Sequence, residues 1–82
     1  MIVLYLRNFD EELSKIKDES IARSVFSIIQ RVESSRGIKD FPDIEKIQNH
    51  PTAYKIKNEN FLIGLFVEPT KIIFGAFIDL SH

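Results

Sequence analysis

The chain has 82 residues, 44% hydrophobic and 28% charged, with a formal charge of -1 at pH 7. These values fit one ordinary globular domain over residues 1–82 and exclude a global electrostatic pull toward nucleic acid or membrane. There is no cysteine, which excludes disulfides and thiolate metal sites and suits a cytoplasmic location.

Ile2 to Leu6 is a run of β-branched, aromatic and aliphatic residues, and it predicts an opening strand. With Met1 it is too short for a signal peptide or a membrane span, and Arg7 interrupts it, so no membrane partner is expected. Asn8 offers a side-chain oxygen to cap a helix, and Asp10, Glu11 and Glu12 suit the positive end of its dipole. Phe9, Leu13 and Ile16 share one helical face, which predicts a first helix over roughly residues 9–17. A second begins at Asp18 or Glu19. Its stripe is Ile21, Val25, Ile28, Ile29 and Val32, widened by Ala22 and Phe26, and Gly37 is its natural stop. The short connection predicts a helical hairpin.

Ile38 to Pro51 has no clear period. Phe41-Pro42 breaks regular structure, Ile44 and Ile47 suggest a short helical turn, and Asn49-His50-Pro51 reads as a loop. Three strands follow: Tyr54-Lys55-Ile56-Lys57, Phe61 to Leu65, and Lys71 to Phe77. Turns at Asn58-Glu59-Asn60 and Glu68-Pro69-Thr70 separate them. Short turns predict an antiparallel meander from about residue 52 to 78. The expected class is α+β, an N-terminal strand and a helical hairpin packed on that meander. One sheet face should carry the helices and the other should be open, with Ile56 inward and Lys55 and Lys57 outward.

The chemistry-bearing residues are few. No phosphate-binding glycine loop or nucleophile motif is present, and no carboxylate pair stands out for acid–base work. Carboxylates cluster at helix starts, where the dipole explains them. His50 sits in a loop and His82 is the last residue, so no metal site and no cofactor is expected. Lys46, Lys55, Lys57 and Lys71 remain. The plain interpretation is a solvated sheet face whose lysines discourage edge aggregation. The functional one is a shallow cationic face that holds an RNA backbone or an acidic peptide.

The stretch Asp43 to Phe77 resembles the RelE/ParE superfamily of toxins from type II toxin–antitoxin systems. Tyr54-Lys55-Ile56-Lys57 is similar to a family strand of the form Tyr-Arg-Ile-Arg. Phe61-Leu62-Ile63-Gly64 corresponds to Tyr-Arg-Ile-Gly, and Asn8-Phe9-Asp10-Glu11-Glu12-Leu13 to the opening of the family's first helix. The resemblance implies a microbial RNase-like fold, a cognate antitoxin as partner, and ribosome-dependent cleavage of mRNA, an mRNA interferase. The alternative it implies is action by binding alone, either as an antitoxin-binding module or in the branch that inhibits DNA gyrase. Carried onto this chain, Lys55, Lys57 and His82 are the expected catalytic groups, and Lys46, Lys55, Lys57 and Lys71 the expected RNA contacts. Two features depart from the pattern. Leu62 stands where the family has an arginine, and no His-Arg-x-Asp-Ile-Tyr follows the last strand. Leucine neither donates a hydrogen bond nor carries charge, so weakened cleavage is expected.

Overall fold

The structure, a computed structural model, describes residues 2–36 and 43–80. Its elements run β1 (Ile2–Tyr5), α1 (Arg7–Leu13), α2 (Glu19–Ser34), β2 (Ile44–Lys46), β3 (Ala53–Lys57), β4 (Phe61–Val67) and β5 (Lys71–Asp79). The five strands form one sheet in the order β1-β5-β4-β3-β2. The expected meander is present, with β3–β4 and β4–β5 antiparallel. β1 joins it alongside β5 in parallel, so the sheet is mixed.

Both helices lie on one face, where the large buried side chains of the sheet are gathered. Phe9 of α1 and Ile21, Val25, Ile29 and Val32 of α2 meet Ile56, Phe61, Ile63, Leu65, Ile72, Phe74 and Phe77 of the sheet. Phe9, Phe61, Ile63 and Phe74 are wholly shielded from solvent. Phe9 and Phe74 meet with ring centroids 5.2 Å apart, and Tyr5 stacks on Phe74 at 5.5 Å. The inward Ile56 and outward Lys57 agree with the register expected from the alternation.

Local expectations fail in four places. Asn8 does not cap α1. Leu6 takes the N-cap position without a side-chain bond, and its N–H donates to Phe74 O at 2.9 Å. The chain therefore passes from strand to helix with no loop for a polar cap. The helix also ends early. The N–H groups of Lys15 and Ile16 donate to Glu12 and Leu13 carbonyls three residues back, tightening the exit. Ile44 belongs to a strand rather than a helical turn, paired antiparallel with β3 so that Ile44 faces Ile56. Finally, Phe26 lies outside the core at 61% exposure, and Leu13, Ile16 and Ile28 are only partly buried.

The start of α2 follows its sequence. Asp18 Oδ1 accepts from the Ser20 N–H at 2.8 Å, the Ser20 hydroxyl at 2.9 Å and the Ile21 N–H at 3.3 Å. These bonds, the Ser20 hydroxyl's first, hold the Asp18 carboxyl below its usual range. The helix closes at Ser34 with Ser35 as C-cap. Gly37, the expected stop, and Phe41-Pro42 lie outside the described residues.

Candidate functional site

The sheet face opposite the helices is the candidate site. Strand register arranges its side chains in rows, because directly opposed residues share a face. One row runs Lys57, Leu62, Ile78. The next runs Glu45, Lys55, Gly64, Ala76. A third runs Ala53, Phe66, Ile73, Leu4. Within these rows positive charge appears only on β3. The face expected to be cationic is thus apolar across its centre, with Lys55 and Lys57 along one side and Lys71 at the far end of β5. The cause is visible in β4 and β5, whose outward residues are as apolar as their inward ones.

Lys55 and Lys57 are two residues apart on one strand, so their side chains emerge from one face roughly 6–7 Å apart. Lys57 is exposed. Lys55 is partly covered, and its Nζ lies 3.9 Å from Glu45 Oε2 on β2. That pair is solvent-accessible and worth little in stability, but it places a carboxylate beside the first lysine.

The other expected contacts are not gathered here. Lys46 opposes Tyr54, so its side chain belongs to the helix-side face at the sheet edge. Lys71 opposes Ile2 at the far end of β5, with its Nζ 3.6 Å from Glu68 Oε1. Lys57 is level with Ile78, seven residues along β5 from Lys71, or roughly 20 Å. His82 lies outside the described residues. His50 faces Phe66 with ring centroids 5.7 Å apart, and its Nδ1 accepts from the Thr52 N–H at 3.4 Å, a local loop contact.

Between the lysines and β1 lies a hollow of about 290 Å³. Gly64, Gly75, Ala76 and Ala53 leave its floor low, and Leu6, Ile47 and Phe66 line it. The β4–β5 register shifts between Gly64 and Leu65, so that Ala76 and Phe74 are consecutive partners and Gly75 is left over. A methyl group on Gly75 would sit 3.0 Å from Phe66 Cε2 and 3.5 Å from Leu6 Cδ1. Glycine here lets that ring lie close over the strand. The sequence did carry a signal for this hollow, since glycines inside strands mark bulges and close approaches.

Among the described residues no buried polar side chain is present, and no His, Cys, Asp or Glu group could hold a metal ion. No described helix is long and apolar enough to cross a membrane. The described face can supply positive charge at Lys55 and Lys57 on one side and at Lys71 at the far end of β5, with apolar contact between.

No protein-family model and no curated protein matches the sequence. Solved structures do. A chain of the RelB–RelE antitoxin–toxin complex from Methanococcus jannaschii is 26% identical, with a TM-score of 0.80, covering 93% of this chain and 88% of that one. The YoeB dimer from Staphylococcus aureus matches at TM-score 0.76 and 11% identity, over 95% and 94% of the two chains. The isolated Escherichia coli RelE toxin matches at 0.72 and 14%, over 99% and 85%. The two more distant likenesses establish the fold. The first, which runs along nearly the whole sequence at 26% identity, supports a toxin of the RelE kind.

Proposed function

We propose that this chain is the toxin component of a type II toxin–antitoxin pair, acting in the cytoplasm to restrain growth. The observation that carries the proposal is the pairing of Lys55 and Lys57 on the open face of a sheet that superimposes on a chain of an antitoxin–toxin complex. In this reading the two lysines hold the phosphate of a ribosome-bound mRNA. Cleavage by attack of a 2′-hydroxyl needs a base for that hydroxyl, positive charge on the phosphate and an acid for the leaving oxygen. Lys55 and Lys57 hold the phosphate, and the base is whichever of them is neutral when the hydroxyl attacks. His82 is assigned the acid's role, and Lys46 and Lys71 reach RNA only beyond the cleaved phosphate.

Cleavage by this chain is proposed to be weak. Leu62 stands in the row of Lys57, where a guanidinium would complete a two-sided grip on the phosphate. The apolar rows favour a second reading, in which the chain acts by binding. An antitoxin segment with apolar side chains and acidic neighbours fits a low apolar floor flanked by two lysines. A DNA gyrase-directed activity also needs no nuclease residues.

Co-purification with the product of the adjacent reading frame tests the toxin–antitoxin proposal. The expected result is a complex that survives dilution to micromolar concentration. No association at that concentration, with both proteins folded, would overturn it.

A further inference from the structure

The two edges of the sheet are guarded differently. β2 exposes Glu45 and Lys46, charges that discourage pairing with another chain. β1 reads Ile-Val-Leu-Tyr, with no charge and no proline, and among the described residues no strand lies on its outer side. The Ile2 N–H donates to Thr70 O and the Leu6 N–H to Phe74 O, so the even residues turn their backbone groups toward β5. By strand alternation the N–H and C=O of Val3 and Tyr5 point away from the sheet.

We infer that the β1 edge pairs with the β1 edge of a second copy of this chain, antiparallel about a twofold axis through Leu4. In that register Val3 faces Tyr5 of the other copy, and each such pair exchanges two hydrogen bonds. Both outward N–H groups and both outward carbonyls of each chain are then satisfied. On the open face Leu4 meets its own twin and Ile2 meets Leu6, which is still extended at φ -74°, ψ 150°. These residues are 59%, 45% and 45% exposed for Ile2, Leu4 and Leu6, and every cross-strand pair they make is apolar. This self-complementarity selects a second copy over an arbitrary strand, since an isologous contact needs one patch to match itself. On the helix side the Tyr5 hydroxyl donates to Glu33 at 3.4 Å, tying α2 over the edge. Phe26 lies two turns back on that same stripe of α2 and is 61% exposed. The pairing does not depend on the toxin reading and leaves Lys55 and Lys57, on the other side of the sheet's centre, uncovered.

The contact is small, so the dimer should form in the upper micromolar range. Sedimentation equilibrium of the full chain from roughly 10 to 500 µM should show monomer passing to dimer. Amide exchange should show Val3 and Tyr5 gaining protection with concentration, while Ile2, Leu4 and Leu6 are protected throughout. Leu4→Lys sets like charges against each other on the axis and should hold the chain monomeric, with an unchanged circular dichroism spectrum. A wild-type chain that stays monomeric across the range would overturn the inference. So would a dimer in which Val3 and Tyr5 exchange at a concentration-independent rate. The exchange measurement needs no variant, so it decides even if Leu4→Lys fails to fold.

Discussion

Lys57 and Leu62 are direct partners across β3 and β4 on the open face of the sheet. In the proposed RNA contact one supplies a cation to the phosphate, and the other is a hydrocarbon where a second cation would complete the grip. Leu62→Arg should therefore convert a one-sided contact into a two-sided one. Its affinity for a single-stranded RNA oligonucleotide should rise. The slope of log affinity against log salt should steepen by roughly 0.7. Fluorescence anisotropy at several salt concentrations measures both, and an unchanged slope would mean that position 62 does not reach RNA.

Glu45 should oppose the same contact, since its carboxylate lies beside Lys55. Glu45→Gln removes that competitor while keeping the side chain's size. The expected outcome is tighter RNA binding with little change in stability, because the pair is solvent-exposed. Anisotropy and urea unfolding of the same samples separate the two effects.

The partition of α2 between core and solvent predicts unequal costs for neighbouring isoleucines. Ile29 is buried and Ile28 only partly so. Ile29→Ala should cost about 2–5 kcal/mol and Ile28→Ala distinctly less. Urea unfolding followed by circular dichroism gives both values, and equal losses would mean that α2 is rotated from the arrangement described.

Asp18 gives a pH signature. Its folded carboxyl is held below its usual range by the Ser20 hydroxyl and the first amides of α2. Its stabilising contribution is therefore present above the ordinary carboxylate pKa and is lost as pH falls through the lowered folded value. Asp18→Asn keeps a capping oxygen but loses this linkage. The stability difference between wild type and variant should be largest near neutrality and shrink on the acid side. Denaturation midpoints measured at several pH values check it.

The meander is legible because Tyr54 to Lys57 alternates and its turns carry Asn58, Asn60 and Pro69 at short spacing. α2 was legible because its apolar stripe repeats at helical period after an Asp-x-Ser start. β2 was not, since three residues are too few for a period and only pairing with β3 identifies Ile44 to Lys46 as strand. The cap of α1 was misread because Leu6 is held by Phe74, a contact remote in sequence. The apolar character of the open face was also hidden. β5 runs Ile72-Ile73-Phe74-Gly75-Ala76-Phe77-Ile78 without alternation, so its pattern says strand but not which face is wet. Of the site, the Lys55–Lys57 pair and the gap at Leu62 were readable from spacing and resemblance. The separation of Lys46 and Lys71 from that pair follows from register alone.

The most direct test is cleavage of mRNA on programmed ribosomes by the purified chain, read by primer extension. A missing preorganised donor costs about 10²–10³ in rate, so cleavage should lie near background and rise clearly in Leu62→Arg. Robust cleavage at the ribosomal A site by the unmodified chain, abolished by Lys55→Ala or Lys57→Ala, would contradict the account.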